Sequence, residues 1–222
     1  MVNYAVPPEV LQPFVPRGTV LDTWGNQGFI SLVAFQFQKT RVLGLPVPLH
    51  QDFEEVNLRF YVRRDVSGET RHGVVFLREV VGKPLIATAA RLTYNEPYKV
   101  LPTRHHIARN GTMHARYGWK VENHWESLSA TASGEPVVPA DGTFETFISD
   151  KPWGFTRQAG GGTIEYRVRH PRWRLWSNPE TDMEADLGAL CGDKLQPWLK
   201  AAHSSLIAEG SPVTLFVGSR IR

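Results

Sequence analysis

The chain has 222 residues, of which 41% are hydrophobic and 21% charged, and its formal net charge is +3 at pH 7. This composition predicts a packed globular core and excludes a disordered chain, and the length allows one large domain or two small ones. The basic residues are scattered, with Arg63-Arg64 and the stretch 167–174 the densest. A solvated face is therefore favoured over a nucleic-acid groove, and we expect no nucleic-acid partner.

Cysteine content and apolar run length indicate the cellular compartment. Cys191 is the single cysteine, which excludes an intrachain disulfide and a thiolate metal cage and favours a reducing environment. Residues 1–10 show neither a basic leader nor a long apolar run, and the longest apolar stretches, such as 29–35, are too short to cross a bilayer. We therefore expect a cytoplasmic protein without a membrane partner.

Strand patterns dominate the first third of the chain. Residues 29–38 form an apolar run that ends in alternation, which predicts a strand buried on both faces near its start. The proline-rich link 45–48 cannot pair in a central strand. Residues 53–63 and 73–79 follow as two strands, and the turn residues 67–68 between them predict a hairpin.

Later segments mix strands with short helices. Residues 84–92 begin with a proline and are rich in alanine, which predicts a short buried helix. The pair Asn110-Gly111 predicts a type I′ hairpin that places Ala108 opposite Met113. Apolar spacing also predicts further elements: helices at 142–149, 183–190 and 195–209, a glycine turn at 160–162, and strands at 163–168 and 212–217.

Four histidines are candidate zinc ligands by residue type. His105 and His114 become diagonal neighbours in the predicted hairpin, but their spacing, with that of His106 and His124, matches no familiar metal signature. Glycines 160–162 lack the lysine and hydroxyl residue of a phosphate loop. We therefore expect no metal and no cofactor.

The strand at 53–63 carries the most informative pattern. Its apolar face comprises Leu58, Phe60 and Val62, and its polar face comprises Asn57, Arg59, Tyr61 and Arg63, because successive strand side chains alternate. The acidic pair Glu54-Glu55 lies at its entry. The polar face could be a wet outer surface, or it could line a polar pocket inside a barrel.

Five segments, in this order along the chain, resemble the YqjF-like family of bacterial proteins in the acetoacetate decarboxylase-like superfamily: 53–62, 73–77, 90–94, 144–148 and 166–173. The resemblance implies a mainly β fold with a few short helices, in which one domain over 1–222 forms an antiparallel closed or partly closed barrel around a central cavity. It is also compatible with a homo-oligomer, because relatives in this superfamily assemble.

One departure from the superfamily concerns its lysines. The decarboxylases carry a Pro-Lys-Lys run in which one lysine forms a Schiff base and the adjacent lysine lowers its pKa. This chain has Pro97-Tyr98-Lys99 instead, so Tyr98 stands where the nucleophile is expected and Lys99 lacks its like-charge partner. Decarboxylation by the lysine mechanism is not expected.

The candidate site residues follow from the polar strand and the matched segments. Glu55 is the candidate general acid or base, and Lys99 is a second catalytic candidate for which a surface lysine is the alternative. The candidate ligand-binding residues are Asn57, Arg59, Tyr61, Tyr98, His170 and Trp173.

Two functions remain open from the sequence. The first is a binding protein for a small organic acid or carbonyl compound, held by Arg59 and enclosed by aromatic residues. The alternative is a lyase or hydrolase that uses Glu55 as general acid or base and Arg59 as anion anchor. Burial would raise the pKa of Glu55, as such catalysis requires, whereas a paired Arg59 would lower it.

Overall fold

The computed structural model describes residues 1–42, 45–46 and 51–221. In chain order the strands are β1 (Val2–Val6), β2 (Val20–Leu21), β3 (Gly28–Phe37), β4 (Arg41–Val42), β5 (Leu45–Pro46), β6 (Phe53–Val66), β7 (Glu69–Val81), β8 (Tyr98–Val100), β9 (Thr103–Arg109), β10 (Thr112–Val121), β11 (His124–Ser133), β12 (Trp153–Arg157), β13 (Thr163–Arg169), β14 (Leu175–Ser177), β15 (Glu180–Glu184), β16 (Ser204–Ala208), β17 (Thr214–Leu215) and β18 (Ser219–Ile221). The α-helices are α1 (Pro8–Leu11), α2 (Pro84–Tyr94), α3 (Phe144–Ser149) and α4 (Gly188–Cys191). Short 3₁₀ turns span Gln12–Phe14 and Gln196–Trp198.

Two sheets make up most of the molecule. The larger has 12 strands, and its main path runs β14-β16-β1-β3-β6-β7-β12-β13-β17, with β2, β8 and β18 paired at its sides. The smaller has the order β15-β11-β10-β9, and β4 pairs with β5 alone. The prediction of a mainly β fold with a few short helices is confirmed. No helix within the described residues is long and apolar enough to cross a membrane.

Strand β6 lies near the middle of the larger sheet and is buried on both faces. Its apolar side packs into the main core, where Leu58 and Phe60 lie with Trp119 of β10 and Leu128 of β11. The smaller sheet therefore covers this side of β6. The other side also avoids water, since Tyr61 is fully buried. The predicted alternation is confirmed, and the polar face is buried at Asn57 and Tyr61 but exposed at Arg63.

Several other predicted elements are confirmed. The hairpin between β6 and β7 turns at Ser67-Gly68, both with positive φ, as a two-residue primed turn requires. The predicted helix at 142–149 is α3, whose first turn is capped because Thr143 Oγ1 accepts a hydrogen bond from Thr146 N. The glycine turn at 160–162 joins β12 to β13. Of the proline-rich link, Leu45–Pro46 pairs with Arg41–Val42, and residues 47–48 lie outside the described residues.

The register of the β9–β10 hairpin was predicted wrongly. The structure pairs Arg109 with Met113, one residue away from the predicted pairing, because Asn110 N donates to Thr112 O and lengthens the loop. His114 consequently lies near His106, with ring centroids 6.1 Å apart, and not near His105.

Helix predictions near the C-terminus were also wrong. The segment 195–209 begins with a 3₁₀ turn and ends in β16, which pairs with β1 and β14. The segment 183–190 is divided, since Glu184 ends β15 and α4 begins at Gly188. The strand predicted at 212–217 is shorter than expected and spans Thr214–Leu215. Sheet pairing overrides the helical spacing in these short segments.

Helix α2 forms where predicted but is not buried. Ala87 is fully buried, whereas Leu85 and Leu92 are 67% and 83% exposed. The alanine-rich composition favours the helix, which packs on the sheet through Ala87 and the partly buried Ile86.

Candidate functional site

The polar face of β6 contacts α3 at one end and Tyr98 of β8 at the other. Arg59 Nη2 donates a hydrogen bond to Ile148 O of α3 at 3.3 Å, and the Tyr61 ring lies 5.3 Å from the Phe147 ring. Glu55 and Asn57, at the other end of the face, are each 2% exposed. Of the predicted polar face, Asn57 and Tyr61 are buried and Arg59 is half-buried, whereas the Arg63 side chain at its end is 42% exposed.

Three adjacent strands bring polar side chains into one row. Asn57 of β6 pairs with Glu79 of β7, and Glu79 pairs with Tyr98 of β8. Tyr98 Oη donates to Glu55 Oε2 at 2.8 Å, and Asn57 Nδ2 donates to Glu55 Oε1 at 3.1 Å. The parallel pairing of β8 with β7 thus delivers a phenol to two buried carboxyl groups.

A third carboxyl group, that of Glu96, enters from the loop between α2 and β8. Its Oε1 accepts hydrogen bonds from Tyr166 Oη at 3.0 Å and from Thr156 Oγ1. Burial and the charges of Glu96 and Glu55 raise the pKa of Glu79, and burial and the charge of Glu55 raise the pKa of Glu96. We call Glu55, Glu79, Glu96, Tyr98 and Tyr166 the carboxyl cluster.

Burial keeps the carboxyl cluster protonated to unusually high pH. The pKa of Glu96 is raised to about 7, chiefly by burial. The pKa of Glu79 is raised well above its ordinary value by burial and then by the charges of Glu96 and Glu55. Burial also raises the pKa of Glu55, against smaller opposing effects of Asn57, Tyr98 and Arg59. Glu96 can therefore bind and release a proton near neutral pH.

Four buried polar atoms in this region have no hydrogen-bond partner within the described part of the chain: Asn57 Oδ1, Arg59 Nε, Glu79 Oε2 and Glu96 Oε2. Buried polar groups in folded proteins are nearly always paired, with protein, water or ligand. These atoms are concentrated along one strand face and its neighbours, and each has capacity for a further hydrogen bond.

A glycine makes room for one tyrosine of the cluster. A Cβ on Gly154 would overlap the Tyr166 ring, so a side chain at this position would displace the ring. We expect Gly154→Ala to lower the free energy of unfolding by about 1–3 kcal/mol through overpacking. Chemical denaturation measures this, with Gly160→Ala as the control, because a Cβ there would meet only Arg220 Nη2 at 3.9 Å. Equal stability of the two variants would contradict the assigned packing.

The other predicted site residues lie apart from the cluster. Lys99 follows Tyr98 in β8 and therefore faces the opposite side, where its charge acts on Glu126. His170 stacks on Trp173 with ring centroids 4.2 Å apart, and Trp173 Nε1 donates to Ser211 Oγ. Trp173 packs at the edge of a small core that includes Tyr61 and Ile148.

Three residues of the cluster were not predicted as site residues. Glu79 lies within a predicted strand, but its position opposite Asn57 depends on a register irregularity between Leu58 and Arg59. Glu96 directly precedes Pro97-Tyr98, which was the available signal for it, and Tyr166 lies in a matched segment. Among the described residues, no group of three or more His, Cys, Asp or Glu side chains could hold a metal ion.

The fold is that of the acetoacetate decarboxylase-like proteins. An acetoacetate decarboxylase-like enzyme from Sphingomonas wittichii RW1 superposes with a TM-score of 0.63 at 14% identity, covering 99% of this chain and 89% of that chain. Acetoacetate decarboxylase from Legionella pneumophila gives a TM-score of 0.63 at 13% identity, covering 100% and 83%. The enduracididine biosynthesis enzyme MppR complexed with pyruvate gives 0.65 at 12% identity, covering 99% and 86%.

The family is shown by the sequence match itself. Residues 1–212 match the model of DUF2071, described as "Uncharacterized conserved protein (COG2071)", and the chain belongs to this family. The protein YqjF of Bacillus subtilis (strain 168) is 31% identical over 97 residues. That match spans 43% of this chain and 38% of YqjF, so it covers well under half of each protein.

Proposed function

We propose that the polar face of β6 binds a small organic acid or carbonyl compound, in the central cavity of a closed or partly closed barrel. The main support for this proposal is the buried Arg59 Nε, which has no hydrogen-bond acceptor among the described residues. Asn57 Oδ1 and Glu79 Oε2 are likewise buried without a partner. A guanidinium stays charged at every physiological pH, so a buried donor of this kind favours an anionic acceptor.

The Arg59 guanidinium is suited to bind a carboxylate, because only some of its N–H groups have a hydrogen-bond acceptor. It donates through Nη2 to Ile148 O, and it is not bonded to the cluster glutamates within the described residues. A carboxylate would take up the remaining N–H groups in the bidentate geometry that arginine favours. The opposite end of such a ligand would meet Asn57 and the protonated glutamates, which can donate or accept hydrogen bonds.

A relative gives independent support for this ligand class. MppR, which shares the fold at low identity, was solved with pyruvate. Pyruvate carries one carboxylate and one carbonyl group, the two groups that this polar face would recognise. It is therefore the first probe for this chain, whose own ligand is proposed from Arg59 and its neighbours.

Replacement of Arg59 tests the proposal. We expect Arg59→Gln to weaken pyruvate binding by about 10- to 100-fold, because a hydrogen bond to a charged group contributes about 1.5–3 kcal/mol. Thermal shift and titration calorimetry measure this against wild type. Arg63→Gln is the matched control, since Arg63 lies on the same face with a 42% exposed side chain. Equal loss in both variants, or none in Arg59→Gln, would contradict the proposal.

Acid–base catalysis by the same site is a second candidate function, which the raised pKa of Glu55 favours. The chemistry would be that of a lyase or hydrolase, with Glu55 moving a proton and Arg59 anchoring the anion. It would not use the lysine mechanism, because Tyr98 and not a lysine contacts the glutamates. Turnover of an organic acid should then disappear in Glu55→Gln and persist in Glu54→Gln. Loss of turnover in both variants would show that the substitutions act through protein stability and not through a catalytic role of Glu55.

A further inference from the structure

A cavity of about 270 Å³ lies beside α3, close to the lower end of the roughly 300–1,000 Å³ typical of ligand sites. It is lined by two aromatic residues, Trp24 and Phe147, and by polar residues that include His72, Thr143, Thr146 and Lys151. Neither Arg59 nor any member of the carboxyl cluster lines it. The cavity is therefore a feature separate from the proposed organic-acid site.

One of the residues that line this cavity, Lys151, has a buried ammonium group. The side chain of Lys151 is 4% exposed, and its Nζ donates to Asp22 Oδ2 at 2.9 Å. Nζ also lies 4.0 Å from the centroid of the Phe147 ring. An ammonium has three N–H donors, and within the described residues Asp22 alone accepts one of them in a hydrogen bond. A further acceptor would complete the coordination of this charge.

A histidine is fixed at the cavity wall by the same carboxylate. His72 Nδ1 lies 2.7 Å from Asp22 Oδ2, the oxygen that Lys151 contacts. Lys151 and His72 hold the pKa of Asp22 below its ordinary value against the effect of burial. An ionised Asp22 orients the imidazole through Nδ1–H, which leaves Nε2 as the nitrogen for a ligand.

The charges around Lys151 favour an anion. Arg63 lies 3.9 Å from Asp22, and burial together with Arg59 lowers the pKa of Lys151 while Asp22 and Asp150 oppose this shift. Asp150, the carboxylate among the lining residues, is already paired with Arg172 at 3.0 Å. A bound carboxylate would therefore compensate an ammonium that burial disfavours.

The aromatic walls determine the shape of the ligand. The Trp24 and Phe147 rings lie 5.6 Å apart between centroids, and both line the cavity. Flat apolar surfaces of this kind favour a planar ring over an extended polar chain. We propose that the cavity is a second ligand site, which binds a small planar carboxylate, with the carboxylate on Lys151 and the ring against Trp24 and Phe147.

Benzoate is the probe, and titration calorimetry with the full chain is the measurement. We expect wild type to bind benzoate, and Lys151→Met to bind it about 10- to 100-fold more weakly, from the loss of one charged hydrogen bond. Acetate, which has the carboxylate without the ring, should bind at least about tenfold more weakly than benzoate. No benzoate binding to wild type, or unchanged binding to Lys151→Met, would overturn the proposal.

A second pair of variants covers the case in which Lys151→Met does not fold. Thr146→Phe fills the cavity and leaves Lys151, His72 and Asp22 in place, whereas Thr146→Ser keeps the hydroxyl that donates to Ala140 O. Benzoate should fail to bind to the first and should bind normally to the second. Arg59→Gln should bind benzoate as wild type does. Loss in Arg59→Gln with retention in Thr146→Phe would assign benzoate to the β6 face and overturn the second site.

Discussion

Glu96→Gln is expected to be more stable than wild type by about 3 kcal/mol near pH 8 and nearly equal to it near pH 4, because a pKa shift of one unit corresponds to about 1.4 kcal/mol. The pKa of Glu96 rises from 4.5 to about 7 on folding. The folded state therefore binds this proton more tightly than the unfolded state does. Wild type loses stability as the pH rises from 4.5 through about 7, whereas glutamine does not titrate.

Urea unfolding at several pH values between about 4 and 8 measures this difference. The Glu96→Gln variant can keep the hydrogen bonds from Thr156 and Tyr166, since the amide oxygen of its new side chain accepts them as the carboxyl oxygen does. Exposed Glu122, replaced by glutamine, serves as the control and should follow wild type at every pH. Parallel stability curves for Glu96→Gln and wild type would show that Glu96 is not buried in the cluster as described.

Lys151→Met is expected to lower the free energy of unfolding by about 3–5 kcal/mol, because it leaves the Asp22 carboxylate buried without the buried lysine that pairs with it. The side chains of Asp22 and Lys151 are 6% and 4% exposed, so water cannot replace the missing partner. Removing both charges should lower the free energy of unfolding by less, since a neutral pair has no such desolvation penalty. The double variant Asp22→Asn/Lys151→Met is therefore expected to be more stable than Lys151→Met alone.

A double-mutant cycle of these variants in urea, at neutral pH, measures the coupling. Arg63→Met provides a matched control, because Arg63 contacts the same carboxylate at 3.9 Å but is 42% exposed, and it should cost less than about 1 kcal/mol. If the single and double variants lost the same stability, Lys151 and Asp22 would not form the buried ion pair described.

The polar strand shows what sequence alone could and could not predict. Alternation correctly placed Asn57, Arg59 and Tyr61 on one face, because the strand period depends only on backbone geometry. It did not reveal what covers that face. The contacts come from α3 and from Tyr98 of β8, and both are distant in sequence. Long-range packing of this kind leaves no local pattern in β6.

Register explains the other failures. The loop at Asn110 is one residue longer than the predicted two-residue turn. Every residue of β9 therefore pairs with a different residue of β10 than predicted. Likewise Glu79 faces Asn57 only because the β6–β7 ladder shifts between Leu58 and Arg59. The segment 195–209 was wrongly predicted as a helix, because periodicity alone cannot separate the five-residue strand β16 within it from a helix.

The location of bound pyruvate tests the central claim most directly. A crystal structure of the protein with pyruvate should show its carboxylate on the Arg59 guanidinium and its carbonyl end within hydrogen-bond distance of Asn57 or the carboxyl cluster. Arg59 Nε should then have an acceptor, which it lacks among the described residues. Pyruvate bound away from β6, with Arg59 Nε still unpaired, would contradict the assignment of the polar face as a ligand site.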